Sequence, residues 1–144
     1  MKITAFVMLI LFAVKGCAQS SKIDESAIEI EYMAYSRGGF QSVVINSDFI
    51  KEKSQRGQED YISRKYSKKD WKKILNYLAA IDLEALKNLE APTQKRLFDG
   101  AMHASLKIIY KDKTYQSGSF DHGTPPEEIK PLVDHILSLT QSVE

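Results

Sequence analysis

Ile28, Ile30 and Tyr32 alternate with Glu29 and Glu31. Apolar side chains at every second position fall on one side of an extended chain, so this segment predicts a strand with one buried face. Ser36-Arg37-Gly38-Gly39 follows, and its adjacent glycines predict a tight turn. Phe40 to Asn46 is apolar and β-branched and predicts the returning strand. Phe49 to Lys53 and Tyr61 to Tyr66 read as two further strands, separated by the polar Gln55-Arg56-Gly57-Gln58 turn.

The period then changes. Ser67 and Asp70 have the spacing of a capping box, a hydroxyl at the cap and a carboxylate three residues on. Trp71, Ile74, Leu75 and Leu78 follow at helical spacing, which makes this the firmest helix in the chain. Asp82 is placed to cap a second, short helix carrying Leu83 and Leu86, ended by Ala91-Pro92-Thr93. Ala104 to Tyr110 and Thr114 to Phe120 predict a hairpin around Lys111-Asp112-Lys113. Thr124-Pro125-Pro126-Glu127 starts a last helix with Thr124 as its cap, and Ile129, Leu132, Val133, Ile136 and Leu137 form its apolar stripe. Pro131 cannot donate within that helix. It predicts either a kink or a single turn before a main helix that begins near Pro131. Strands, helix, strands, helix make an α+β domain over residues 27–144: a mostly antiparallel sheet with two main helices packed on one face and the other face solvated.

The start of the chain predicts where this domain goes. Lys2 is followed by an apolar run from Ile3 to Val14 and then by Gly16-Cys17-Ala18-Gln19, the layout of an export signal. The run is too short for a permanent membrane span, which needs roughly 20 apolar residues. Cys17, the only cysteine, sits where a bacterial lipoprotein signal is cut and lipidated. That gives a signal peptide over 1–16 and a polar tether over 17–26. Lys15 is unusual at its position in a lipobox, and plain secretory cleavage after Ala18 is the rival reading, with a signal over 1–18. Localisation follows as an outer-membrane-anchored lipoprotein of the cell envelope, or else a periplasmic or secreted protein. The chain has 20 basic and 19 acidic residues, and loss of Lys2 and Lys15 moves the net charge from +1 to about −1. This balance argues against a general nucleic-acid binder. With one cysteine at most, the mature domain has no internal disulfide and must hold together by packing.

Three groups of residues are candidate sites. Asp99, His103, Asp121 and His122 bracket the predicted hairpin. An even loop over Lys111 to Thr114 would set His103 opposite His122, and two imidazoles with two carboxylates suit a divalent metal such as zinc. A one-residue change of register would put the histidines on opposite faces, and Asp99-Gly100 and Asp121-His122-Gly123 are also ordinary turn chemistry. The plain reading is therefore structural turns and no metal or other cofactor. His135 reads as a surface residue of the last helix. Lys65, Lys68, Lys69 and Lys72, with Arg64 and Lys73 nearby, lie opposite the Trp71 face. They form a solvated helix face, or a surface for an anionic partner such as lipid headgroups or polysaccharide. The turn flanked by Tyr35 and Phe40 offers Arg37 between aromatics, a composition found at protein-binding hot spots. The serines lack a nucleophile-elbow context, and neither a phosphate-binding glycine loop nor an HExxH helix is present, so no catalytic residue is assigned.

The layout resembles emfourin, a family of small protein inhibitors of thermolysin-like zinc metalloproteases. The likeness runs from Ile28 to Leu139. It rests on a first strand ending in Arg37-Gly38-Gly39-Phe40, a Leu-rich middle helix, a late hairpin after Asp99 and a terminal helix opened by Pro125-Pro126 and Pro131-Leu132. Here Phe49 to Tyr66 and Ala91 to Ala101 are longer, the lipobox is an addition, and no inhibitory residue is matched position by position. The sequence also has the look of small lipoproteins of the Bacteroidota envelope. The expectation is a non-enzymatic, lipid-anchored domain that binds another protein, with a metalloprotease as the partner the resemblance implies. Tyr35, Arg37 and Phe40 are its predicted contacts, and the membrane is engaged through lipidated Cys17. The alternative is an envelope structural or assembly lipoprotein that works through its tether and lysine face. A metal-dependent hydrolase built on His103 and His122 is the third reading.

Overall fold

The computed structural model describes residues 24–140, so Cys17 and both cleavage positions lie outside the described residues. The predicted α+β architecture is present. Seven strands form one antiparallel sheet: β1 (Ile28–Tyr35), β2 (Phe40–Ile45), β3 (Ile50–Lys53), β4 (Ile62–Arg64), β5 (His103–Tyr110), β6 (Lys113–Gln116) and the short β7 (Phe120–Asp121). Their order across the sheet is β4-β3-β2-β1-β5-β6, with β7 also pairing with β5. The central strand β1 is set between β2 and β5, with Tyr32 opposite Val43 on one side and Leu106 on the other. Ile28, Ile30, Tyr32 and Ala34 all point into the core, as the alternation demands.

Two helices cover that face, α1 (Lys68–Ala79) and α2 (Lys130–Thr140). Ser67 caps α1 by accepting from the Asp70 N–H at 3.1 Å, while the Asp70 carboxylate accepts from the Ser67 hydroxyl instead of from the cap N–H. Trp71, Ile74 and Leu78 of α1 and Leu132, Val133 and Ile136 of α2 join the inward strand residues in one core. Before α2, a single turn closes through Ile129 N–H to Pro126 O at 3.1 Å. The main helix then begins at Lys130, so Pro131 lies in its first turn, where its missing N–H costs nothing. Thr124 is not a helix cap; its N–H closes the turn onto Asp121 O at 2.8 Å. The helix expected after Asp82 shrinks to a turn and a 3-10 segment at Leu86–Asn88, although Asp82 does accept from the Glu84 and Ala85 N–H groups. Among the described residues no helix is long and apolar enough to cross a membrane.

The start of the fold also differs from expectation. Glu25, assigned to the tether, lies in a 3-10 turn (Glu25–Ala27), and its Oε2 accepts from Trp71 Nε1 at 3.0 Å. Folded structure therefore includes Asp24 to Ser26.

Candidate functional site

Two turns meet at the end of the sheet where β1 finishes. The β1–β2 turn closes through Ser36 N–H to Gly39 O at 2.8 Å, and it leaves Arg37 and Gly38 exposed. A Cβ on Gly39 would sit 2.7 Å from Met102 Sδ, so this turn lies directly against the segment that precedes β5. Arg56 of the β3–β4 connection donates from Nη2 to Ser36 O at 2.7 Å and ties a third loop to the same end. An open groove of about 440 Å³ runs between Ser36–Gly38 and Asp99–Met102. A second, of about 300 Å³, continues it along Tyr35, Arg56 and His103.

The long connection from Leu89 to Met102 is organised by one buried carboxylate. The Asp121 side chain is 1% exposed, and each of its oxygens accepts two hydrogen bonds. Oδ2 takes Thr93 Oγ1 at 2.5 Å and the Lys95 N–H at 2.7 Å. Oδ1 takes the Arg96 N–H and Arg96 Nη1, both at 3.0 Å. Burial opposes the ionisation of Asp121, but the bonds from Thr93, Arg96 and Lys95 outweigh it and hold the carboxyl well below the usual carboxylate range. The guanidinium also donates to Thr93 O at 2.8 Å, which stiffens the loop across its base.

This clamp presents two apolar side chains to solvent. The 3-10 turn Lys95–Phe98 leaves Leu97 65% exposed and Phe98 74% exposed. Asp99 then takes a left-handed conformation with φ 59°, and the Gly100 N–H returns to Lys95 O at 2.8 Å. A Cβ on Gly100 would lie 3.1 Å from that carbonyl and 3.4 Å from the Phe98 ring, so glycine lets the turn close this tightly. Leu97 and Phe98 escaped the sequence reading because Thr93 to Ala101 has no periodicity. Its one visible signal is an apolar pair directly after Lys95-Arg96, in a loop longer than its likeness required.

The predicted metal constellation does not form. The β5–β6 turn is two residues long, with Lys111 in the left-handed region (φ 54°), so Tyr110 pairs with Lys113. The irregular stretch before β7 then shifts the register by one, and His103 pairs with Asp121, not with His122. His103 is on the outer face, stacked on Tyr35 with centroids 5.5 Å apart. His122 is on the core side, where its Nδ1 shares a 2.7 Å hydrogen bond with the Tyr32 hydroxyl. Burial pushes the His122 imidazole down. Burial, with the charge of Asp134, pushes the Tyr32 phenol up. Asp121 is spent on the clamp, and Asp99 is exposed along the groove beside the Arg37 turn. Among the described residues no three His, Cys, Asp or Glu side chains are grouped to hold a metal ion.

The structure places the predicted binding residues at the β1–β2 turn: Arg37 and Tyr35 are exposed, and Phe40 is half-buried opposite Tyr35 on the outer face. His135 is not a free surface group. It lies between the helices, with Nε2 3.4 Å from Asp70 Oδ1 and its ring edge-on to Tyr77. The helix lysines Lys68, Lys69, Lys72 and Lys73 are exposed. No protein-family model, curated protein or solved structure matches this chain.

Proposed function

We propose that the chain is an exported, lipid-anchored domain that binds another protein without catalysing a reaction, and that Phe98, Leu97 and Arg37 form the centre of its contact surface. The observation that carries this reading is the Asp121 clamp, which spends a buried carboxylate on holding two large apolar side chains out in water. A loop already ordered in the free protein loses little entropy on binding. Aromatic and arginine side chains are the ones that dominate interface energetics. Arg37 and Arg56 line the groove beside Asp99, and Lys95 opens the turn that carries Leu97 and Phe98, so the partner chemistry that fits is an apolar pocket with an acidic rim. The emfourin likeness makes a thermolysin-like zinc metalloprotease the first partner to try.

Phe98→Ala and Arg37→Ala are each expected to weaken the complex by at least about 2 kcal/mol, roughly 30-fold in Kd. Calorimetry against that protease, or against a partner recovered from envelope extracts, reads the change. Full affinity in both variants would remove the sheet end as the contact surface. The anchor has its own test. Cys17→Ser is expected to abolish membrane association and metabolic lipid labelling, because the chain has no other thiol to acylate. Labelling that persists in this variant, or is absent from the wild type, would overturn the lipoprotein reading.

A further inference from the structure

The chain leaves its fold beside the lysine face of α1. Glu25 Oε2 is bonded to Trp71 Nε1 at 3.0 Å, in the first turns of that helix, and a groove of about 290 Å³ is lined there by Glu25, Ser47, Asp48, Lys68, Trp71 and Lys72. Helical spacing places Lys68, Lys69, Lys72 and Lys73 on the side of α1 away from the buried Trp71, Ile74 and Leu78. Asp70, the one carboxylate of the helix, is turned off that side toward His135. Lys111 is held at the same end of the domain, its N–H bonded to Ala27 O at 3.1 Å. Asp48 of the β2–β3 turn and Glu25 line the groove with Lys68 and Lys72, and Asp112 lies in the β5–β6 turn, so the four helix lysines outnumber the two groove carboxylates.

From these contacts we infer that the lysine face of α1 seats the domain on anionic lipid headgroups, with the Phe98–Arg37 end directed away from the bilayer. This rests on the reading that Cys17 carries the anchor. Seven peptide units separate Cys17 from Asp24, so even a fully extended link holds the exit point within roughly 25 Å of the lipidated residue. Within that distance the attraction of a few exposed lysines for a negative surface becomes an intramolecular event at high effective concentration. Lysines also suit headgroups, because they act as mobile point charges and need no fixed geometry. Strand β1 runs from this end to the Arg37 turn, and its eight residues span roughly 23 Å. The same strand therefore separates the lipid-facing end from the protein-binding end.

Trp71 is the only tryptophan in the chain and lies in the same two turns of α1 as the four lysines, so energy transfer from it reports how near α1 comes to the bilayer. The full lipidated protein is reconstituted in phosphatidylcholine vesicles with and without phosphatidylglycerol, each carrying a trace of headgroup-dansylated lipid. Energy transfer from Trp71 is expected to be higher in the anionic vesicles at low salt and to fall to the phosphatidylcholine value at high salt. Changing Lys68, Lys69, Lys72 and Lys73 to glutamine should abolish the difference. Changing Lys51 and Lys53, on the outer sheet face, should leave it intact. Equal transfer in both vesicle types, or a difference that survives the four-lysine change, would overturn the inference. Mass spectrometry of Cys17 separates the two levels: an unacylated cysteine overturns the anchor itself and this orientation with it.

Discussion

Asp121→Ala is expected to destabilise the domain by about 3–5 kcal/mol, the usual result of removing one partner from a buried, hydrogen-bonded ion pair. For a domain of this size that is a fall of roughly 10 °C or more in Tm. The loss has a specific origin. Two backbone N–H groups, one hydroxyl and the Arg96 guanidinium all donate to this carboxylate, and all would be left without their acceptor. Asparagine should rescue little. Each carboxylate oxygen faces a fixed backbone N–H, so an amide NH2 in either orientation meets a donor. The pH dependence is a second signature. A carboxyl whose pKa is lower folded than unfolded stabilises the fold above the unfolded value, and that contribution fades as pH falls toward the folded one. The gap between wild type and Asp121→Asn should therefore be full at neutral pH and narrow below the ordinary value of 3.8. A gap that is constant from neutral to strongly acidic pH would show that ionisation of Asp121 does not support the clamp.

The same residue shows which parts of this fold are written locally. Ile28 to Tyr32 can be read as a half-buried strand because alternation with period two has one geometric meaning. Ser67-x-x-Asp70 before Trp71 and Ile74 can be read as a helix start because cap and stripe agree within two turns. Register is different. Nothing in Tyr110-Lys111-Asp112-Lys113 announces that lysine takes the left-handed conformation, where glycine or asparagine is the usual signal. The turn lies one residue earlier than expected, which moves the pairing by two and keeps the face, and the irregular stretch before β7 moves it back by one; that odd step sends His122 to the core side, away from His103. Asp121 likewise looks like an ordinary turn aspartate in sequence. Its partners Thr93, Lys95 and Arg96 are more than twenty residues away, and only the tertiary fold brings them to it. The exposure of Leu97 and Phe98 is not visible in sequence either, since two apolar residues in a loop are as compatible with burial beneath it as with display on it.

Trp71→Ala is expected to cost about 3–5 kcal/mol, the range for a large aromatic truncated in a packed core. The indole is 5% exposed, meets Tyr66 edge-on with ring centroids 6.5 Å apart, and belongs to the same core as the inward strand residues. Trp71→Phe separates packing from hydrogen bonding. It keeps most of the apolar ring but loses the donor to Glu25 Oε2, so a smaller loss of about 1–2 kcal/mol is expected. In the phenylalanine variant the damage should be local. The 3-10 turn at Glu25–Ala27 loses its tie to α1, and the Ala27 and Ile28 amides should exchange faster than those of β5, which is paired along both edges. In the alanine variant the core itself opens, and protection should fall across α1 and β1 together. Equal stability of wild type and Trp71→Ala in a denaturant titration would contradict the packing described here. Loss of stability without selective exchange at Ala27 and Ile28 in Trp71→Phe would instead show that Glu25 does not fix where the chain leaves the fold, and the geometry that sets the lysine face against the bilayer would lose its anchor point.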